Sequence, residues 1–161
     1  QLLVAHARSA FRDEGIEVIN NMPFTDGRFL FLFNGELRGV RLKEKGRIGA
    51  EKVFNFIKRF DDGDMEEAMR KGLDIIERRS RYVRAANIII ADAQAIRVTN
   101  RFNDSSDYFQ MHVLQNSERL VLCSEPFLSD RAAEVANAGE WKPLVTGEVL
   151  TYWTKKVGSE H

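Results

Sequence analysis

The chain has 161 residues, with 24 Lys plus Arg against 24 Asp plus Glu and a single cysteine, Cys123. This length suits one globular domain whose core needs no disulfide or metal, and the balanced charge excludes a global field that would draw nucleic acid or an anionic membrane. One cysteine excludes a disulfide framework, no Cys/His grouping has zinc-site spacing, and the longest apolar runs (29–33 and 88–91) are strand-sized, far short of the roughly 20 residues that span a bilayer.

These limits favour a soluble protein in a reducing, cytoplasmic setting, with no cofactor and no nucleic-acid or membrane partner. Residues 2–7 are mostly apolar and predict a buried strand, followed by a polar stretch through Arg12, Asp13, Glu14 and Gly15. The start at Gln1, with neither an initiator Met nor a signal peptide, predicts a segment ahead of it. Residues 16–19 are β-branched and strand-like, and residues 20–27 hold enough turn formers for an ordered loop. Asn34-Gly35 then separates the runs 28–33 and 36–42, which predicts a hairpin with a type I′ turn. Phe29, Phe31 and Phe33 alternate with Leu30 and Leu32, so this strand is apolar on both faces and predicted to lie in the interior.

From Ala50 the period changes. Val53, Phe54, Ile57 and Phe60 recur at three- and four-residue steps, predicting a helix that starts near Gly49. Asp61-Asp62-Gly63-Asp64 ends it, and Asp64 with Glu67 predicts the capped start of a second helix whose Met65, Ala68, Met69, Leu73 and Ile76 face inward. The basic run Arg78-Arg79-Ser80-Arg81 suits the negative end of that helix dipole better than a nucleic-acid patch. Beyond it, strands are predicted at 87–91, 95–99, 108–114 and 119–123 as a meander, then a short helix at 130–138 and a last strand pair at 145–153 hinged at Gly147. Strands, two helices and more strands describe an α+β domain built in layers.

Several short motifs occur in order: His6-Ala7-Arg8, Asn21-Met22-Pro23-Phe24, Phe33-Asn34-Gly35-Glu36-Leu37, Ile48-Gly49-Ala50-Glu51, Ser124-Glu125-Pro126 and Gly147-Glu148-Val149-Leu150. Together they resemble the glutamine-hydrolysing domain of class II glutamine amidotransferases, across nearly the whole chain. The resemblance implies an N-terminal-nucleophile hydrolase fold: a four-layer αββα sandwich of two antiparallel sheets between helices, forming one domain over residues 1–161. In that family an N-terminal cysteine attacks the glutamine amide and its own α-amino group serves as base. The chemistry requires no cofactor, and a synthase domain or subunit uses the ammonia; oligomeric state, including a homo-oligomer, is left open.

Carried over residue by residue, the resemblance gives Arg8 the substrate carboxylate, which suits a planar guanidinium, although an exposed arginine at a strand end is the plainer alternative. It gives Asn34 and Gly35 the oxyanion hole, through a side-chain amide and a backbone N–H; a turn at the same two residues is compatible with that role. Gly49 and Glu51 fall at the substrate end of the helix that follows. His6 reads as a hydrogen-bonded structural residue, and Cys123 as a buried, inert thiol.

Three departures stand against the pattern. The nucleophilic cysteine is absent from these residues. Gly49 stands where the family has an aspartate for the substrate ammonium. Met22 and Phe33 replace histidines and make the surroundings more apolar. Three readings follow: an amidohydrolase completed by a cysteine-bearing segment, with glutamine or another γ-glutamyl or amide compound as its small-molecule substrate; an inactive copy kept as a binding or regulatory subunit; or an unrelated α+β binding module.

Overall fold

The computed structural model describes residues 2–7, 16–117, 119–126 and 140–154. Its larger sheet has five antiparallel strands in the order β1-β2-β3-β4-β8, formed by Phe24–Thr25, Leu30–Arg38, Tyr82–Ala91, Ala95–Thr99 and Val149–Trp153. A smaller antiparallel sheet has the order β6-β5-β7, from Leu120–Cys123, His112–Gln115 and Lys142–Pro143. Two sheets with few helices make an α+β fold, as the sequence predicts.

The helices form where the apolar period places them. Helix α1, Gly49–Lys58, buries Val53, Phe54 and Ile57; helix α2, Met65–Arg79, buries Met65, Ala68, Met69, Leu73 and Ile76. Asp64 caps α2 by accepting the Glu67 N–H at 3.1 Å, which satisfies one of the donors a helix start leaves unpaired. Both helices cover one face of the larger sheet. Phe31 of β2 is fully buried there and stacks on Phe54 of α1, with ring centroids 4.7 Å apart. The other face meets the smaller sheet, where Val98, Met111 and Leu144 are buried with Ile89, Val113, Leu122 and Leu150 packed around them. Among the described residues this gives a helix layer, a sheet and a second sheet. The predicted helix at 130–138 lies outside the described residues.

The largest difference from expectation is at Asn34-Gly35. No turn forms there. Strand β2 runs unbroken through both residues, with Asn34 opposite Asn87 and Gly35 opposite Ala86. The chain leaves the strand only at Gly39, with a φ of 73°. Gly35 is needed for a reason other than turn formation, because a Cβ there would stand 2.2 Å from the carbonyl oxygen of Ala85. The ladder then bulges between Glu36 and Leu37, which face Ala85 and Val83.

Other differences are local. Residues 2–7 form no strand, and Leu3 is 89% exposed, because no strand pairs with them. Residues 16–19 are solvent-facing and lead into a single 3-10 turn at Val18–Asn20. The predicted strand at 108–114 begins only at His112. Ser105, in left-handed geometry with a φ of 53°, precedes a one-turn helix α3 at Ser106–Phe109. The meander is interrupted here, since the chain passes from β4 in one sheet to β5 in the other. The expected final strand pair is one strand, β8, preceded by a kink at Gly147 with a φ of 89°.

The two glycines of the resemblance should behave oppositely. Gly35→Ala should lower the unfolding free energy by about 3 kcal/mol, as overpacking against fixed backbone does. At Gly49 an added Cβ meets nothing within 4 Å, so Gly49→Ala should be neutral or gain up to about 1 kcal/mol from helix propensity. Urea unfolding of both variants checks the contrast, and equal losses would contradict the assigned close approach.

Candidate functional site

A large concavity opens along β2. Its walls include residues 30–38 of β2, the segment 2–7, the start of α1 and residues 119–126. At about 3060 Å³ it exceeds the roughly 300–1000 Å³ of ordinary small-molecule sites several times over. An amino-acid-sized ligand therefore occupies only part of it.

Side chains alternate across a strand. Phe31 faces the helices, so Asn34, three residues on, faces the concavity beside its cross-strand partner Asn87. The two amides differ sharply. Asn87 is buried and fully engaged: its Nδ2 donates to the Phe109 carbonyl at 2.6 Å, and its Oδ1 accepts from Asn100 Nδ2 at 2.8 Å and from the Arg101 N–H at 3.0 Å. Asn34 is half-buried, lines the concavity, and its side chain bonds to no other described residue.

The ladder also fixes where the Gly35 N–H points. The Ala86 N–H donates to the Arg101 carbonyl at 2.8 Å, on the side of β3 away from β2. Gly35 and Ala86 therefore face each other as a non-hydrogen-bonded pair, and the Gly35 N–H is directed away from β3. Two residues earlier, the Phe33 N–H points the same way and donates to Met22 Sδ at 3.2 Å. Strand β1 covers only Phe31 and Leu30 on that edge, leaving the edge open at Gly35. The structure thus brings together, on consecutive residues, a side-chain amide with no partner among the described residues and an outward-directed backbone N–H.

The other residues singled out in the sequence are distributed unevenly. Arg8 lies outside the described residues. Gly49 is the first residue of α1 and lies on the concavity wall. Glu51 turns toward Arg47, accepting the Arg47 backbone N–H at 2.6 Å and its guanidinium at 2.6 Å. Arg47 also donates to the Ile19 carbonyl and lies 5.2 Å from the centre of the Phe24 ring. The guanidinium hydrogen bonds hold the Glu51 carboxyl below its usual range, outweighing the partial burial that opposes them. His6 is half-buried on the concavity wall.

Cys123, Ser124 and Glu125 line the opposite wall. Cys123 is half-buried, and burial pushes its thiol up, away from the thiolate form. His112 stands directly across from it in the β5–β6 ladder, a neighbour that the sequence does not reveal because 11 positions separate them. Among the described residues no group of three His, Cys, Asp or Glu side chains is arranged to hold a metal, and no helix is long and apolar enough to cross a membrane.

No family model matches the sequence, and no curated protein does. Solved structures do. A glutamine aminotransferase class-II domain protein from Silicibacter pomeroyi superposes with a TM-score of 0.62 at 19% identity, over 84% of this chain and 67% of that one. A predicted glutamine amidotransferase from Pseudomonas aeruginosa gives a TM-score of 0.55 at 17% identity, over 84% of this chain and 63% of that one. The glutamine phosphoribosylpyrophosphate amidotransferase of B. subtilis, solved with ADP and GMP, gives a TM-score of 0.60 at 16% identity, over 91% of this chain and 31% of its own. This chain therefore has the fold of class II glutamine amidotransferase domains, and spans from about two thirds to under one third of the length of these proteins.

Glu51 supplies a pH test of the wall at α1. Its folded pKa is depressed, so its contribution to stability is present above the unfolded carboxyl value of 4.5 and is lost as pH falls through the lower folded value. Glu51→Gln should lower the melting temperature at pH 7, and the difference from the parent should shrink steadily below pH 4.5. A difference that stays constant down to acid unfolding would show that the Arg47 pair does not matter to stability.

Proposed function

We propose that this chain is the amide-handling domain of a glutamine amidotransferase-like protein, and that the Asn34-Gly35 corner of the concavity is its oxyanion hole. The observation carrying this reading is that, among the described residues, neither the Asn34 amide nor the Gly35 N–H, side by side on β2, has a hydrogen-bond partner. A half-buried donor without a protein partner is available to a ligand at no cost in broken bonds.

The substrate is a small carboxamide, glutamine or another γ-glutamyl or amide compound, with Arg8 holding its carboxylate. Attack on the amide carbon by a thiolate makes a tetrahedral oxyanion, which accepts hydrogen bonds from Asn34 Nδ2 and the Gly35 N–H. The C–N bond then breaks, the leaving nitrogen takes a proton and departs as ammonia, and water cleaves the thioester to give the carboxylate. The raised thiol of Cys123 does not suit the role of nucleophile, so this sequence of steps requires a cysteine-bearing N-terminal segment. A synthase domain or subunit that consumes the ammonia is the natural partner, and the cytoplasm the natural setting.

Gly49 favours a second reading. It offers no carboxylate to a substrate ammonium, and a site relieved of selection for hydrolysis would persist as a binding or regulatory subunit on the same scaffold.

The test is ammonia release by the complete protein from glutamine and from glutaramate, the monoamide of pentanedioic acid. Asn34→Ala should lower kcat roughly 10²- to 10³-fold, the effect of losing one oxyanion donor, with a much smaller change in KM. Hydrolysis unaffected by that substitution removes Asn34 from the mechanism. Calorimetric binding without hydrolysis supports the regulatory reading, and neither binding nor hydrolysis of either amide removes the amide site altogether.

A further inference from the structure

The outer edge of β2 is satisfied donor by donor until it reaches Gly35. Its outward N–H groups belong to alternate residues, Phe31, Phe33 and Gly35. Phe31 is paired with Phe24 of β1 in the ladder. Phe33 donates to the thioether of Met22, whose Sδ lies 3.2 Å from its nitrogen. At Gly35 no described residue takes the donor. The register explains this order. Phe24 faces Phe31 and Thr25 faces Leu30, so a β1 continued backward would set Met22 opposite Phe33 and Asn20 opposite Gly35. The chain does not continue that way: Val18–Asn20 form a 3-10 turn, and at Met22 a side chain rather than a backbone carbonyl meets β2. Met22 is buried, and it lines the concavity beside this edge. Its sulfur is the last partner before the open position.

From this succession of partners we infer that Met22 is a positioning residue for the oxyanion corner: its thioether ends the pairing of the β2 edge one donor short of Gly35 and so leaves the Gly35 N–H open. The inference rests on the amide site proposed above and adds to it a residue that touches no substrate. A half-buried N–H without an acceptor is costly, so the Phe33 donor has to be met. A backbone carbonyl in that place would bring a strand alongside β2, and the next inward carbonyl of that strand would fall at Gly35 and consume its N–H. A thioether is a weak, adaptable acceptor at the end of a flexible side chain, and it satisfies Phe33 without bringing a strand with it.

The experiment compares the complete protein with Met22→Leu, which keeps the volume and removes the acceptor, and with Met22→Gln, which returns an acceptor oxygen on a side chain of similar length. In amide NMR spectra, Met22→Leu should shift the Phe33 and Gly35 N–H resonances together and speed hydrogen exchange at Phe33 roughly tenfold. In glutamine hydrolysis it should lower kcat about tenfold with KM little changed, the pattern of an interaction made only in the transition state. Met22→Gln should recover most of that loss. Shifts confined to Phe33, a kcat indifferent to Met22→Leu, or a loss that Met22→Gln does not recover overturns the positioning role and leaves the amide site standing. If the parent hydrolyses neither glutamine nor glutaramate, the hydrolytic reading falls and the positioning role falls with it.

Discussion

The buried Asn87 side chain joins what the rest of the molecule needs joined. It reaches from the centre of the larger sheet to the Phe109 carbonyl and the Arg101 N–H, at the point where the chain crosses toward the smaller sheet. Asn100 extends the contact: its Nδ2 meets both the Asn87 Oδ1 and the Phe109 carbonyl, and its Oδ1 accepts from Gln110 Nε2 and the Met111 N–H. A partner removed from such a network leaves desolvated donors and acceptors, which is far costlier than the net value of one hydrogen bond. The spacing of the two sheets is thus fixed by amides, and the apolar contacts around Val98, Met111 and Leu144 close over them.

That arrangement decides what remains free. Asn34 is the cross-strand neighbour of Asn87 and could have been absorbed into the same network, but Asn87 and Asn100 together satisfy the Phe109 carbonyl, and Asn87 accepts the Arg101 N–H. Gly35 is in a similar position. The close carbonyl of Ala85 forbids a side chain, and β1 pairs only with Leu30 and Phe31, so it does not reach the outer edge at Gly35. Structure and candidate site are coupled here through hydrogen-bond supply: the framework uses one amide of the pair and, among the described residues, leaves the other without a partner.

The helices and most strands were legible because each is dictated by neighbours in sequence. The apolar period of Val53, Phe54 and Ile57, the Asp64 cap and the β-branched runs of β3 and β4 all appear where expected. Asn34-Gly35 misled for a physical reason. Its local preference for a turn is worth about a kilocalorie, whereas the ladder from Leu30 to Arg38 pairs nine residues of β2 with β3 and buries Phe31 against Phe54. Tertiary pairing wins that contest. The strand predicted at residues 2–7 failed for the converse reason, since an apolar run needs a partner strand that composition cannot supply. Of the site, the sequence marked Asn34, Gly35 and Gly49, but not that Asn34 is free while Asn87 is engaged, nor that Glu51 is held by Arg47. Those facts belong to cross-strand and loop contacts that lack a short-range pattern.

A shared fold at low identity separates what packing requires of a position from what it does not. At 16–19% identity to the solved amidotransferase domains, the fold is shared although most residues differ. Core positions are held by packing, and many apolar side chains satisfy them. An unpaired asparagine on a strand face is not held that way, because a hydrophobic residue at position 34 would bury area without leaving a donor unsatisfied. Stability alone does not ask for asparagine there, whereas the oxyanion role proposed for it would. Gly35 lacks this force, since the Ala85 carbonyl requires glycine with or without a ligand. Of the two residues proposed for the oxyanion hole, Asn34 is therefore the one that packing leaves unexplained, and Gly35 is explained by packing alone.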